Sequence, residues 1–237
     1  MPPADERALE IWIFDLDLST TEASRLVPLL SDDERRRADR RVRPEDGQRF
    51  RVAHGRLREI LAPHLGVPPQ AIAFGEGQYG KPYITAPDTS LRFNLTHSDA
   101  LGGVALSHAA DVGIDIERIR ALDGTGLETA LSAHEQCALA ALDGNERREA
   151  FFRCWTRKEA VLKAHGCGLA VPLESFDVPV GPEPESIVRL PATGANKMQS
   201  WRIVSFVPAP GYAGAVAAPT GGEYSAALRY RTWPRSA

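Results

Sequence analysis

The sequence predicts an α+β protein of two similar halves that face one another across a cleft, and three recurrences predict it. LSDDE at residues 30–34 returns 101 residues later as LSAHE at 131–135. A Phe-led helical stretch follows each at that same offset: Phe50 with Arg56, Ile60 and Leu61, then Phe151 with Arg157, Val161 and Leu162. GGVAL at 102–106 resembles GAVAA at 214–218, now 112 residues apart, and the drift is what a duplication leaves once its loops diverge. A repeat this long is no solenoid period. The halves meet near residues 107–113, which divides the chain into half-domains 1–110 and 111–237. Clefts at such junctions are favoured ligand sites.

The elements follow in order. Residues 9–18, LEIWIFDLDL, mix β-branched and aromatic side chains with a late alternation of polar and apolar, and read as an opening strand. Ser31 and Glu34 have capping-box spacing, with Asp32 and Asp33 in the first turn where the helix dipole favours acids, so a helix starts there. Residues 48–62 read as helix, and AIAF, RFNLT and GGVALS as short strands. GIDIE at 113–117 is a further strand, and the helix that contains FFRCWTRKEAVLKAH stops at Gly166 or Gly168, residues suited to positive φ. From Pro179 on, Pro and Gly predict loops and edge strands, with strand-like pieces at WRIVSFV and YAGAVAA and a frayed tail after Thr232.

The 237 residues are 43% hydrophobic and 25% charged, ordinary for a soluble globular protein. The start MPPADERALE has no apolar signal core, and no run approaches the ~18 apolar residues of a membrane helix, so a cytoplasmic protein with no membrane partner is expected. Cys137, Cys154 and Cys167 form no CxxC pair and read as core fillers. A net charge of −3 argues against a nucleic-acid partner, since such domains are usually strongly basic. Six arginines nevertheless crowd residues 35–43, either as a solvated helix face or as a mark of an anionic ligand.

Several motifs invite chemistry. GEGQYG at 75–80 matches the dinucleotide fingerprint GxGxxG, but Lys81-Pro82 follows where that fingerprint needs a helix; a tight turn presenting Lys81 is expected instead. On a strand, Ile114 and Ile116 point to one face while Asp115 and Glu117 share the other. That pair is either a wet acidic face or a hard-cation site, because Mg²⁺ is typically held by one or two carboxylates plus water and phosphate oxygens. In the long helix, Phe151, Cys154, Trp155, Lys158, Val161 and Leu162 form a mainly apolar stripe, bordered by Phe152, Glu159 and Lys163. Glu159 and Lys163 are an i,i+4 ion pair of roughly 0.2–0.5 kcal/mol unless Glu159 faces Asp115 and Glu117. His97, in FNLTHSD, is either a satisfied loop histidine or a catalyst. No GxSxG elbow supports hydrolase chemistry.

YGKP, FNLTHS, VGIDIE and FFRCWTRKEAVLKAHGCGL, in this order, resemble the surfactin-type 4′-phosphopantetheinyl transferases, over a span from residue 30 through the Gly166 loop. The resemblance implies transfer of the phosphopantetheine arm of coenzyme A to a serine of an apo acyl or peptidyl carrier protein, releasing adenosine 3′,5′-bisphosphate. It implies a monomer folded as a pseudo-dimer of two α/β half-domains with coenzyme A in the cleft, its 3′-phosphate and adenine on the 1–110 side. Asp115, Glu117 and Glu159 match the Mg²⁺ carboxylates, with Glu159 also the base for the carrier serine. Lys163 matches the residue that neutralises the transferring phosphate, Thr96 and His97 the Ser-His pair at the coenzyme A phosphates, and Lys81 the lysine of the GKP turn. Arg37, with Arg41 and Arg49, matches the basic segment for the 3′-phosphate. Thr96 replaces a more usual Ser. Glu34 stands where some members are basic, Phe50 where a small polar contact can occur, and Glu76 precedes the GKP turn where some relatives are basic. Two rivals stay open: a non-catalytic coenzyme A or nucleotide-binding module on the same scaffold, and a nucleic-acid binder using the arginines.

Overall fold

The computed structural model describes residues 9–122, 126–191, 198–220 and 228–233. The acidic start at residues 1–8 and the tail after Trp233 lie outside them.

The fold is α+β, with five α-helices and ten strands among the described residues. The chain opens with β1 (Leu9–Asp15), then α1 (Thr20–Leu26), α2 (Asp32–Asp39) and α3 (Pro44–Leu65). A two-stranded hairpin of β2 (Ala73–Glu76) and β3 (Pro82–Ala86) leads to β4 (Arg92–Ser98) and β5 (Leu101–Ser107). After β6 (Gly113–Arg118) come α4 (Ala133–Ala140) and α5 (Gly144–His165), then β7 (Glu185–Pro191), β8 (Met198–Phe206), β9 (Tyr212–Pro219) and β10 (Leu228–Thr232). Two four-stranded sheets result, in the orders β10-β1-β5-β4 and β6-β9-β8-β7. All their pairings are antiparallel except that of β10 with β1.

The expected caps form. Ser31 and Glu34 bond reciprocally at the start of α2, and Ser132 and Glu135 do the same at the start of α4. Each capping-box glutamate is also the buried partner of a base on the next long helix: Glu34 lies 2.9 Å from Arg58 on α3, and Glu135 lies 2.8 Å from Lys158 on α5. Both 22-residue helices end at a left-handed glycine, Gly66 (φ 64°) and Gly166 (φ 75°), where a Cβ would be strained.

Two expectations need correction. The stretch after Pro179 was expected to supply edge strands, but β8 and β9 lie in the middle of the second sheet, because Ala- and Gly-rich β9 fits between β6 and β8 with every residue but its last buried. β6 and β7 take the edges of that sheet, and β10 takes an edge of the first. The carboxylate face of GIDIE is not wet: Asp115 is 3% exposed, because α5 lies directly over that face.

Gly113 explains how closely α5 sits. A Cβ there would stand 2.1 Å from the Ala160 carbonyl oxygen and 2.3 Å from the Ala164 amide nitrogen, so only glycine lets the helix reach the strand. Gly113, Asp115 and Glu117 alternate onto this face, while Ile114 and Ile116 turn into an apolar seam with Ile11, Ile13, Ala105 and Val216 between the two sheets. α3 covers the first sheet through Val52, Leu57 and Leu61, and α5 covers the second through Phe151, Cys154 and Val161.

Candidate active site

β6 and α5 meet at Asp115. Its Oδ1 accepts from Lys163 Nζ at 2.5 Å and from Thr96 Oγ1 at 3.2 Å, whereas Oδ2 is buried with no hydrogen-bond partner. Burial raises the pKa of Asp115, and Lys163 and Thr96 offset that rise only in part. Two residues along, Glu117 Oε2 accepts from Ser98 Oγ at 2.7 Å. Burial raises Glu117 as well, and the Asp115 charge adds to it against the Ser98 hydrogen bond. Glu159 is raised by burial first, with Asp115 and Glu117 adding repulsion and Lys163 opposing. The three carboxylates predicted as one set thus feel one another.

The expected surface pair of Glu159 with Lys163 is not the one that forms. Lys163 reaches across to β6 and pairs with Asp115, because the close seat of α5 turns this helix border inward. Glu159, Lys163, Asn94 and Lys81 share a cavity of about 300 Å³. Lys81 arrives from the turn between β2 and β3 and donates to the Ala164 carbonyl at 2.9 Å, with Asp111 at 3.4 Å; burial lowers its pKa and Asp111 works against this. GEGQYG is therefore a hairpin turn, closed by Gly77 N–H to the Lys81 carbonyl, and no helix follows it. Trp155, in the apolar stripe of α5, stacks on Phe151 with ring centres 5.9 Å apart.

Thr96 and His97 point to opposite faces of β4. Thr96 is buried against Asp115, and His97 reaches solvent. The protein around His97 disfavours its imidazolium, and the charges of Lys163, His54 and Arg41 add to this, so its pKa lies below the ordinary 6.5. Two of those charges, His54 and Arg41, belong to a cationic group around Phe50. There the Arg41 and Arg37 guanidiniums lie 5.0 and 5.6 Å from the Phe50 ring centre, and His54 stacks on the ring at 4.0 Å. Arg37 also touches Glu76 at 3.4 Å and lines a larger cavity of about 710 Å³ between α2, α3 and the hairpin. Arg49 is engaged differently: it grips Asp17 through two bonds of 2.7 and 2.8 Å and reaches Asp99 at 3.1 Å.

The donors fit a hard cation. Asp115 Oδ2 is a buried, unpartnered carboxylate oxygen beside two more carboxylates, and oxygen is the ligand that Mg²⁺ takes. Among the described residues no three such groups already stand in a ligand cluster, and Lys163 neutralises Asp115.

A family model described as the 4′-phosphopantetheinyl transferase superfamily matches residues 111–218, the stretch that carries β6 and α5. The 4′-phosphopantetheinyl transferase HetI of Nostoc sp. is 34% identical over 216 residues, 88% of this chain and 86% of its own. The chain belongs to this superfamily. A 4′-phosphopantetheinyl transferase of Bacillus subtilis is 32% identical over 178 residues, 75% of this chain and 78% of its own, and the transferase Sfp of Bacillus subtilis is 29% identical over 205 residues, 86% and 88%. The stretches YGKP, FNLTHS, GIDIE and the Glu159 helix, distant in sequence, all contribute side chains around Asp115 and the adjoining cavity. Sequence reasoning missed Asn94 and Ser98, although strand alternation from Thr96 marks them as same-face neighbours on β4. It also missed Asp17, Asp99 and Asp111, whose partners are long-range ones.

Proposed function

We propose that this phosphopantetheinyl transferase moves the 4′-phosphopantetheine arm of coenzyme A to a serine of an apo acyl or peptidyl carrier protein in a Mg²⁺-dependent reaction that releases adenosine 3′,5′-bisphosphate. The observation that carries this reading is Asp115, with one oxygen held by Lys163 and Thr96 and the other buried and unpartnered beside Glu117 and Glu159. Those three carboxylates would hold Mg²⁺, which when bound supplies charge neutralisation at the pyrophosphate. Phosphoryl transfer needs positioning and charge neutralisation more than a covalent nucleophile, and this inventory provides both. Lys163 is placed to shift from Asp115 to the transferring phosphate, His97 and Lys81 flank the phosphates, and Glu159 is the base toward the carrier serine. Thr96 stays on Asp115 and supports the phosphates from beneath.

The fold is read as a pseudo-dimer of half-domains 1–110 and 111–237. The recurring capping box, buried acid–base pair and glycine-ended helix support it, as does the matching strand order β1-β5-β4 and β6-β9-β8. The 710 Å³ cavity by Arg37 suits the nucleotide end of coenzyme A, with Arg41 nearby; Arg49 would serve through its Asp17 and Asp99 network. The protein is read as a cytoplasmic monomer without nucleic-acid or membrane partners, and no described helix is long and apolar enough to cross a membrane.

The test is incubation with coenzyme A, Mg²⁺ and a panel of apo carriers, followed by mass spectrometry. A phosphopantetheine mass increase on a carrier, lost with EDTA, is expected. Coenzyme A binding with no carrier modified would favour a non-catalytic binding module.

A further inference from the structure

β4 and β6 belong to different sheets and share no backbone ladder, yet three side chains in alternation on β4 clasp β6. Asn94 Oδ1 accepts from Ile114 N–H at 2.9 Å, Thr96 Oγ1 donates to Asp115 Oδ1 at 3.2 Å, and Ser98 Oγ donates to Glu117 Oε2 at 2.7 Å. The Ser98 hydroxyl also accepts from Arg118 N–H at 3.1 Å. That bond occupies an oxygen lone pair, so the single hydroxyl proton is free to aim at Glu117. The result repeats what happens at Asp115: one carboxylate oxygen is tied down, and the other, Asp115 Oδ2 or Glu117 Oε1, takes no hydrogen bond among the described residues.

We propose that Ser98 is a positioning residue that fixes the rotamer of Glu117 so that its second oxygen faces the same point as Asp115 Oδ2. The inference rests on the reading of Asp115, Glu117 and Glu159 as the Mg²⁺ carboxylates. Hydroxyls that bond a ligating carboxylate from behind reduce the freedom the ligand loses on binding, and removing such partners typically costs about 10–100-fold in metal affinity. Ser98 touches neither the cation nor coenzyme A in this arrangement; it acts through Glu117.

The experiment is Mn²⁺ titration by electron paramagnetic resonance on the protein with coenzyme A bound, comparing wild type, Ser98→Ala, Ser98→Thr and Glu117→Gln. Ser98→Ala should weaken Mn²⁺ binding about tenfold while coenzyme A affinity without metal and the melting temperature stay near wild type. Ser98→Thr, which keeps the hydroxyl, should restore tight binding. In turnover assays the Ser98→Ala defect should lie mainly in the metal concentration needed and shrink at saturating Mg²⁺. If Glu117→Gln loses Mn²⁺ but Ser98→Ala binds it as wild type does, the positioning role is overturned and the metal reading stands. If Glu117→Gln itself binds Mn²⁺ as tightly as wild type, the metal reading falls and takes this inference with it. Should Ser98→Ala melt far below wild type, Ser98→Cys, nearly isosteric and a weak donor, is read in its place with the same two outcomes.

Discussion

Asp115 divides its carboxylate: one oxygen accepts from a lysine and the other is buried without a partner, which supports the proposed metal role. A purely structural buried aspartate would have both oxygens satisfied, since an orphaned buried acceptor costs about 1–3 kcal/mol. Asp115→Ala and Glu159→Gln should each lower carrier modification by at least about 100-fold, roughly 2.7 kcal/mol of barrier, with circular dichroism unchanged; near-normal turnover in either would remove the metal centre. Glu34 makes the opposite case, a charged residue at the edge of a cavity whose role is stability. Burial alone would raise its pKa, but bonds from His54, the Ser31 amide and Arg58 outweigh burial and bring it from 4.5 down to about 2. A depressed carboxylate contributes stability that is fully present above its unfolded pKa and lost as pH falls through its folded one. Urea unfolding should therefore show Glu34 supporting the fold by roughly 3 kcal/mol at neutral pH, draining away between about pH 4.5 and pH 2. Glu34→Gln should be less stable at pH 7 and have a flatter acid limb; parallel limbs in wild type and variant would refute this. Alternation made Asp115 and Glu117 legible in the sequence as a pair, but their burial and the swing of Lys163 from Glu159 to Asp115 depend on where α5 is seated, which no local pattern encodes.

Element by element, the readable features were those written in neighbouring residues. The capping boxes at Ser31 and Ser132 and the glycine stops mark α2, α4, α3 and α5, because those bonds span only a few positions. The strand order of the second sheet was not readable, since β9 joins β6 across almost a hundred residues. The same holds for Arg157, a fully buried cation that donates to Ser205 and to the carbonyls of Pro179, Gly181 and Glu183, tying down a Pro-rich stretch that reads locally as loop. Two predictions belong here. Gly113→Ala puts a methyl group into the α5 backbone and should push Glu159 and Lys163 off β6, costing about 3 kcal/mol and most of the activity; an unchanged melting temperature would mean that the helix has room to yield. Lys158→Met leaves Glu135 charged and buried without its cation, although Ser132 and Val178 amides still reach it, and should cost about 3–5 kcal/mol in chemical denaturation.

At the scale of the whole molecule the two four-stranded sheets are bound too closely to be independent folding units. The seam between the sheets draws Ile11 and Ile13 from β1, Ala105 from β5, Ile114 and Ile116 from β6, and Val216 from β9, so either half alone would expose this apolar surface to water at roughly 25 cal/mol per Å². The chain then crosses back: β10 leaves the second sheet's side and pairs in parallel with β1, Trp233 N–H reaches the Ile13 carbonyl at 2.9 Å, and Trp233 packs on Trp12 at 5.5 Å. The recurring sequence patterns say nothing of this exchange, because β10 has no counterpart in the order of the second sheet. Calorimetry should accordingly show one transition with calorimetric and van't Hoff enthalpies that agree. A chain ending at residue 227 loses the parallel edge, the Trp233 cover of the first core and the Leu228 contact with the seam, while Asp115 keeps its bonds to Lys163 and Thr96. It should still modify carriers at low temperature, yet melt several degrees lower, with the first sheet exchanging its amide hydrogens faster than the second. Uniformly faster exchange across both sheets would show that the seam, rather than β10, sets the stability of the first half.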